Sequence, residues 1–215
     1  RQIKARHHNA FFATGAFRGK RTQGDCTTKR CWYVDIDCKP GKEYDSKALA
    51  TQAIKEALVA GLPRPSIVVD SGNGYHLYWV IKDEVTKGTW EEWSRAIEAA
   101  CSTTNLKIDP TSTKDAARIL RAPETLNQKN PDHPLPCKIV IEGKLFDFES
   151  FKKVFQPFKD TAPTHKPSNV VPINQANPDM NSELWGGLQS SKPSKTQDMI
   201  DQCPLFGEAV ATGGQ

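Results

Sequence analysis

The amino-acid sequence predicts an α+β fold, in which helices pack against a sheet that is at least partly antiparallel. Stretches with the two-residue alternation of β-strands and stretches with helical spacing of apolar residues follow one another along the chain. Capping residues precede the helical stretches, and a Gly-Asn-Gly turn joins two apolar runs, which is typical of a β-hairpin. A chain of 215 residues is too short for two full domains of ordinary size, so we expect one main core.

The first predicted strand covers residues 31–37, CWYVDID, which are rich in β-branched and aromatic side chains. Its alternation places Val34 and Ile36 on one face and Asp35 and Asp37 on the other. The strand should therefore carry an apolar row and an acidic row.

A helix is predicted next over residues 45–60, with a polar N-cap at its start and Gly61 as its stop. Residues 66–81, SIVVDSGNGYHLYWVI, read as two strands joined at Gly72-Asn73-Gly74. Asn and Gly both tolerate positive φ, so we expect a tight hairpin with Asn73-Gly74 in the turn.

Further elements complete the predicted core. Thr89 and Glu92 form a capping box for a helix that ends near Cys101. Short strands are expected up to Asp109, at RILR and at residues 137–141, and a last amphipathic helix carries the three phenylalanines Phe148, Phe151 and Phe155.

The sequence changes character after the last of these elements. Residues 161–193 are rich in Pro, Asn and Ser and read as a linker. Ser194 and Gln197 then form a capping box for another helix within residues 194–215. The chain starts at an Arg and stops at Ala-Thr-Gly-Gly-Gln, so we interpret it as a piece of a longer protein.

Composition narrows the function classes. No apolar run approaches the roughly 20 residues that cross a bilayer, and no secretion signal is present, so we expect a cytoplasmic protein without a membrane partner. Residues 1–30 hold eight Lys and Arg against one acid, although the whole chain has a net charge of only +4. Such a segment suits a phosphate-rich partner, but the charge alone fits a solvated basic face equally well.

The six cysteines include no CxxC pair, and we expect them to be reduced. Cys26, Cys31 and Cys38 are close enough in sequence to share an ion. Their spacing fits no common zinc site, so the sequence leaves a structural metal open.

Asp35 and Asp37 are the first candidates for chemistry. Carboxylates two residues apart on a strand project from the same face, about 6–7 Å apart at Cα. Like charges at this distance repel each other, and a divalent cation would neutralise them. Oxygen ligands favour Mg²⁺ or Mn²⁺ over zinc. A D-x-D pair alone is weak evidence, because many such pairs are solvated strand faces.

The hairpin and a later acid add two further elements. Ser71 and the turn glycines offer a hydroxyl and backbone N–H groups beside His76, which could hold a phosphate. An ordinary hairpin explains the same residues. Asp109 is followed by Arg118 and Arg121 and could equally start a turn with the next residue, a proline. If RILR is a strand, these two arginines lie on opposite faces, and we expect only one of them to reach a site.

The succession D-x-D, then S-G-x-G-x-H, then a single Asp with R-x-x-R resembles the archaeo-eukaryotic primase superfamily. It is most similar to the primase-polymerases of phages and plasmids. Residues 9–18, 62–79 and 115–129 also look like blocks of this family, so the resemblance covers about residues 9–145. Glu124 departs from the pattern, since relatives often carry Gly there.

The resemblance implies template-directed nucleotidyl transfer on single-stranded DNA. Two Mg²⁺ or Mn²⁺ ions would be held by Asp35, Asp37 and Asp109. The incoming NTP or dNTP would be bound by the following residues: Ser71, Gly72, Gly74, His76, Arg118, Arg121 and Lys129. The implied fold is a small antiparallel sheet like that of the RNA-recognition motif, which carries the acids, with an N-terminal αβ lobe and flanking helices.

The resemblance also divides the chain. Residues 1–160 would be the catalytic domain, and residues 198–214 resemble the opening of a helical module that often follows such domains. A helicase module in the full-length protein is therefore an expected partner. For the template strand we expect Arg18 and Arg21 of the basic N-terminal segment to contact phosphates. Three aromatic residues are available to stack on bases and could equally belong to the core: Phe11, Phe12 and Trp32.

Two other functions remain open, and a third does not fit the sequence. A DNA-binding replication initiator could keep the fold without catalysis, and a two-metal nuclease could use the same acids to position water. A rolling-circle relaxase would need a His-x-His pair, which the adjacent His7 and His8 do not provide.

Overall fold

The computed structural model describes residues 9–159 and residue 161. The rest of the predicted linker, the helix predicted after Ser194 and residues 1–8 lie outside these residues. The described elements are, in order, β1 Phe11–Ala13, β2 Gly15–Phe17, β3 Cys26–Asp37, α1 Lys47–Val59, β4 Ile67–Asp70, β5 Gly74–Thr86, α2 Lys87–Thr103, α3 Pro110–Lys114, β6 Ile119–Arg121, β7 Thr125–Asn127, β8 Leu135–Glu142 and α4 Phe148–Lys159.

Six of the strands form one antiparallel sheet in the order β2-β3-β5-β4-β8-β7. β3 and β4 lie on either side of β5, and α1 connects them, which gives a split β-α-β arrangement. β1 and β6 form a separate two-stranded ribbon. The predicted α+β class with an antiparallel sheet is therefore confirmed. In the described part of the N-terminal lobe, only strands precede the first helix.

One face of the sheet is packed under α2 and α4. Val34 and Ile36 point into this layer and are fully buried, as the alternation predicts. Trp32 belongs to the same row: its ring stacks on Phe151 with 4.0 Å between centroids, and its indole N–H donates to the Trp90 carbonyl at 2.9 Å. Trp32 is therefore a core residue, and the prediction that it stacks on template bases is wrong.

The first strand begins five residues earlier than predicted. Cys26 to Arg30 contain Thr and Lys and do not look like a strand, but they pair with β2 and with the far end of β5. Lys29 is only 1 % exposed, and its ammonium group donates to Thr14 at 2.8 Å and lies 4.5 Å from the centroid of the Trp90 ring. Its aliphatic stem and these partners allow a charged residue inside the sheet.

The helix boundaries test the capping predictions. α1 confirms the first helix, with Ser46 as the N-cap that accepts from the Leu49 N–H at 3.3 Å. The predicted capping box at Thr89 is wrong, because Thr86 is the N-cap of α2 and accepts from the Thr89 N–H at 3.3 Å. β5 runs directly into α2, so the helix begins before any loop residue can mark it.

The β4–β5 hairpin is confirmed, with its turn shifted by one residue. The Ser71 N–H donates to the Gly74 carbonyl at 2.9 Å, which leaves Gly72 and Asn73 as the turn residues. Gly72 has a φ of 92°, which a side chain rarely adopts. A Cβ on Gly74 would lie 2.0 Å from the Ile36 carbonyl oxygen, so this glycine lets β5 lie against β3.

The segment before Asp109 is not a strand in the structure. It is held to β3 by a single backbone hydrogen bond, in which the Asp109 N–H donates to the Asp35 carbonyl at 2.9 Å. The short helix α3 follows, with Asp109 as its N-cap. The predicted strands at RILR and 137–141 and the last helix correspond to β6, β8 and α4.

Cys26 and Cys38 lie at opposite ends of the extended strand β3. Twelve residues in a strand span roughly 40 Å, so these thiols cannot share one ion. Among the described residues, no helix is both long enough and apolar enough to span a bilayer.

Candidate active site

A cleft of about 410 Å³ opens on the face of the sheet opposite α2 and α4. It lies between the end of β3, the β4–β5 hairpin and the β1–β6 ribbon. The lining residues are Phe11, Arg21, Asp35, Asp37, Ser71, Asn73, His76, Asp115, Ala117, Arg118, Ile119, Leu120, Arg121, Asn127 and Lys129. Most of the residues predicted from the sequence therefore lie around one cavity.

Asp35 and Asp37 reach the cleft from alternate positions of β3. The side chain of Asp35 is 15 % exposed and that of Asp37 is 41 % exposed, so Asp35 is the deeper acid. Asp37 lies 3.8 Å from the Lys42 ammonium group, and its N–H donates to Glu43 at 3.1 Å. The predicted shared face of the two acids is confirmed.

Asp109 is brought to this face by its backbone bond to Asp35. One of its carboxylate oxygens accepts from the N–H and the hydroxyl of Thr111, at 2.9 and 2.6 Å. The other oxygen lies 3.6 Å from the guanidinium group of Arg118. Asp109 is therefore both a helix cap and a neighbour of the acids on β3.

The three carboxylates influence one another. Burial raises the pKa of Asp35, and the charges of Asp37 and Asp109 raise it further, while Arg118 acts in the opposite direction. Burial alone would also raise the pKa of Asp109, but the hydrogen bonds from Thr111 and from the backbone lower it below its usual value. The cleft thus concentrates negative charge around Asp35.

His76 lines the cleft but is nearly buried, with 4 % of its surface exposed. Its Nδ1 lies 3.3 Å from the Tyr78 hydroxyl, and its Nε2 lies 3.6 Å from Asp35. Burial lowers the pKa of His76 to about 4, and the nearby Arg121 and Arg118 add to this effect, so the ring is neutral at pH 7. It can offer a hydrogen bond to a ligand, but no positive charge.

The His76 side chain lies on the cleft face of β5 but is covered there. Leu77, on the opposite face of β5, is buried, and Tyr78 on the His76 face is only 4 % exposed. The ring of Phe12 from β1 lies 6.4 Å from that of Tyr78, so the β1–β6 ribbon covers this part of the sheet.

Ser71 and the two glycines of the hairpin have different positions. Ser71 lines the cleft, and its carbonyl accepts from the Asn127 side chain at 2.7 Å. A Cβ on Gly72 would lie 3.0 Å from the Asn127 Cβ, and Gly74 abuts β3. Neither Gly72 nor Gly74 is among the residues that line the cleft. Packing therefore explains both glycines, and their contact with a nucleotide stays a prediction.

The cleft is rimmed by cationic side chains. Arg118 immediately precedes β6 and Arg121 ends it, and both line the cleft, so the expectation that only one would reach it is wrong. Arg118 lies outside the strand, which frees it from the two-residue alternation. Lys129 reaches the cleft from the loop after β7.

The predicted template residues lie near the same rim. Arg121 stacks on Phe11, with its guanidinium carbon 4.8 Å from the ring centroid, and also donates to Asn9. Arg21 donates to the Ala117 carbonyl and lines the cleft, whereas the exposed Arg18 is not among the lining residues.

Three polar lining residues were not predicted. The Asp115 carboxylate accepts from the Ala117 N–H at 2.9 Å and its carbonyl accepts from the Tyr33 hydroxyl at 2.7 Å, so it shapes the loop before Arg118. Asn127 ties the end of β7 to the hairpin, and Asn73 is a turn residue. Asn73 was part of the quoted hairpin motif, whereas no local pattern indicates Asn127.

The site residues match a hard divalent metal in donor chemistry. Carboxylate oxygens are the ligands that Mg²⁺ and Mn²⁺ prefer, and the mutual repulsion at Asp35 is what a cation would relieve. Within residues 9–159 and 161, however, no three His, Cys, Asp or Glu side chains form a ready metal-binding group. The ligands are present, but in this arrangement they do not converge.

No protein-family model matches the chain, and no curated protein sequence matches it significantly. Among solved structures, it is similar to the archaeo-eukaryotic primase (AEP) domain of the primase-polymerase of cyanophage S-2L. The TM-score is 0.51, with 20% identity over 68% of this chain and 70% of that chain. Two structures of primase RepB′, one of them a catalytic domain with initiator DNA, match with TM-scores of 0.40 and 16% identity. They cover 62% of this chain and 41% and 61% of theirs. The chain therefore has a fold of the archaeo-eukaryotic primase type.

Proposed function

We propose that this chain is the catalytic domain of a DNA primase-polymerase, which joins nucleotides on a single-stranded DNA template. One observation carries the proposal. Residues from the three sequence motifs, which together span more than 70 positions of the chain, line or border one cleft in a primase-type fold. The cleft combines acids on its floor with cations on its rim.

The cations suit the triphosphate of an NTP or dNTP. Arg118, Arg121 and Lys129 can meet phosphate oxygens, and a guanidinium group can do so with two parallel hydrogen bonds. Ser71 adds a hydroxyl group beside them. His76 is neutral and can donate from Nε2 if its Nδ1 accepts from Tyr78.

The acids suit the reacting end of the substrate. Asp35, Asp37 and Asp109 would hold Mg²⁺ or Mn²⁺, which when bound activates the 3′-hydroxyl and stabilises charge on the α-phosphate and pyrophosphate. Asp35 is the deeper of the two acids on β3, with 15 % of its side chain exposed. The backbone bond between Asp109 and Asp35 fixes the spacing of their two segments.

The template strand would enter over the β1–β6 ribbon. Phe11 is 45 % exposed and Arg121 lies against its ring, so the pair offers a flat surface on which a base can stack. Arg21 and, farther out, Arg18 would contact the phosphates of the strand. Trp32 has no part in this surface.

The test is to incubate the protein with unprimed single-stranded DNA, Mg²⁺ or Mn²⁺ and labelled NTPs or dNTPs. We expect labelled primers from the wild type. Asp35→Asn and Asp37→Asn should abolish nucleotide addition without loss of folding, because each removes a carboxylate that repels its neighbours. Asp83→Asn, which changes an exposed acid outside the cleft, is the matched control and should keep full activity.

The same assay separates the other functions. A nuclease would shorten the DNA without nucleotides, and a DNA-binding initiator would bind the strand without extending it. Extension by Asp35→Asn or Asp37→Asn at the wild-type rate would show that these acids do not hold the metal.

A further inference from the structure

Arg118 lies where a metal ion is expected. One of its terminal nitrogens lies 3.1 Å from a carboxylate oxygen of Asp35 and 3.6 Å from one of Asp109. A single guanidinium nitrogen therefore bridges two of the three acids. Asp37, the third acid, lies 3.8 Å from the ammonium group of Lys42 instead.

In the described residues the acids form no ready metal-binding group, and Arg118 bridges two of them. The guanidinium group supplies the positive charge that the clustered carboxylates need, and it occupies space between two of them. Arg118 is partly open to solvent. Its side chain is 33 % exposed, and it precedes β6 in a short turn, where its N–H donates to the Asp115 carbonyl at 3.0 Å.

We propose that Arg118 is an internal counter-cation, which pairs Asp35 with Asp109 in the metal-free protein and leaves them when metal and nucleotide bind. The proposal rests on the proposed function and adds a regulation of that site. Its physical basis is competition, because one pair of carboxylates cannot accept a guanidinium group and a divalent ion in the same place.

The nucleotide provides the alternative partner for Arg118. A triphosphate carries more negative charge than one carboxylate. Arg118 lines the open cleft in which the triphosphate would bind. Metal and nucleotide should therefore promote each other's binding through Arg118, and this coupling must be equal in both directions. The empty enzyme would be protected from holding a metal without a substrate.

The test measures Mn²⁺ binding without nucleotide, by the loss of the free Mn²⁺ signal in electron paramagnetic resonance. Arg118→Met keeps the unbranched apolar stem of the side chain and removes the charged guanidinium group. It should bind Mn²⁺ about fivefold more tightly than the wild type, which is the scale of a partly exposed ion pair. Arg121→Met removes another cation of the same cleft, one that donates to Asn9 and stacks on Phe11. The Mn²⁺ affinity of this variant should differ from that of the wild type by less than twofold.

A second measurement adds a non-hydrolysable nucleotide. The nucleotide should improve Mn²⁺ affinity by a larger factor in the wild type than in Arg118→Met, because only the wild type has a competing cation to release. Melting curves in EDTA check that each variant is folded, and Arg118→Gln carries the same expectation if Arg118→Met does not fold.

The outcomes distinguish the two proposals. Mn²⁺ binding by Arg118→Met at or below the wild-type affinity would overturn the counter-cation, while the proposed function would stand. Absence of Mn²⁺ binding in every variant, with nucleotide present, would overturn the proposed function and the counter-cation with it.

Discussion

Single residues show how closely the chemistry of the cleft depends on burial. Asp35 and His76 lie opposite each other on β3 and β5, and both are largely withdrawn from water. Burial disfavours the charged form of each group, so the acid holds its proton more strongly and the histidine more weakly. The alternation of the strands predicts which face these residues share, but it does not predict how deeply they are covered.

The neutral state of His76 predicts a pH dependence of stability. Because the pKa of His76 is lowered to about 4, only the unfolded chain gains a proton as the pH falls below about 6.5. The stabilisation is complete above that pH and is lost between pH 6.5 and 4. Between pH 7 and 5.5, we expect the free energy of unfolding to fall by about 1 kcal/mol from this group.

The measurement is urea unfolding in EDTA at a series of pH values. His76→Asn keeps a polar group beside Tyr78 but does not titrate, so the difference between variant and wild type isolates the histidine from the carboxylates. Parallel pH profiles for the two proteins would show that His76 is protonated in the folded state.

At the scale of single elements, local sequence patterns predict some boundaries correctly, and contacts with a neighbouring element shift others. The alternation on β3 and the cap of α1 behaved as the sequence predicts. The start of α2 did not, because β5 continues into the helix and Thr86 becomes the cap. The turn of the β4–β5 hairpin moved by one residue since Gly74 is needed against β3.

The turn between β6 and β7 carries the residue that departs from the family pattern. Glu124 has a φ of 63°, in the left-handed region that favours glycine, and it follows Pro123. Pro followed by a residue of positive φ is the pattern of a type II turn, whose third position is normally Gly. Glu124→Gly should therefore stabilise the fold by about 1 kcal/mol, since the strain relieved exceeds the entropy that glycine loses.

Urea unfolding at pH 7 measures this change. Glu124→Ala removes the charge but keeps the Cβ, so it should leave the free energy of unfolding close to that of the wild type. If Ala stabilises as much as Gly, the charge of Glu124 and not its backbone conformation is responsible.

At the scale of the whole described molecule, α4 supplies the last buried side chains of the core. Phe151 and Phe155 are fully buried, and the first of them stacks on Trp32 at the centre of the sheet. The predicted catalytic domain of residues 1–160 would end directly after this helix.

A shortened chain of residues 1–161 should fold with a melting temperature close to that of the full chain, and it should extend primers at a similar rate. A chain ending at residue 146 lacks α4 and should not fold, because both phenylalanines are lost from the core. Circular dichroism and the primer-extension assay measure the two properties. If residues 1–161 fold but do not extend a primer, later residues take part in catalysis.

The sequence by itself determined the local features of this protein. The shared face of Asp35 and Asp37, the hairpin and most helices follow from short-range spacing, and the order of the motifs indicated the type of fold. Only the tertiary structure decided what covers each face. Segments distant in the chain place Arg118 between Asp35 and Asp109. They also bury His76 and make Trp32 a core residue. Periodicity fixes the direction of a side chain, whereas burial and charge pairing depend on which distant element packs against it.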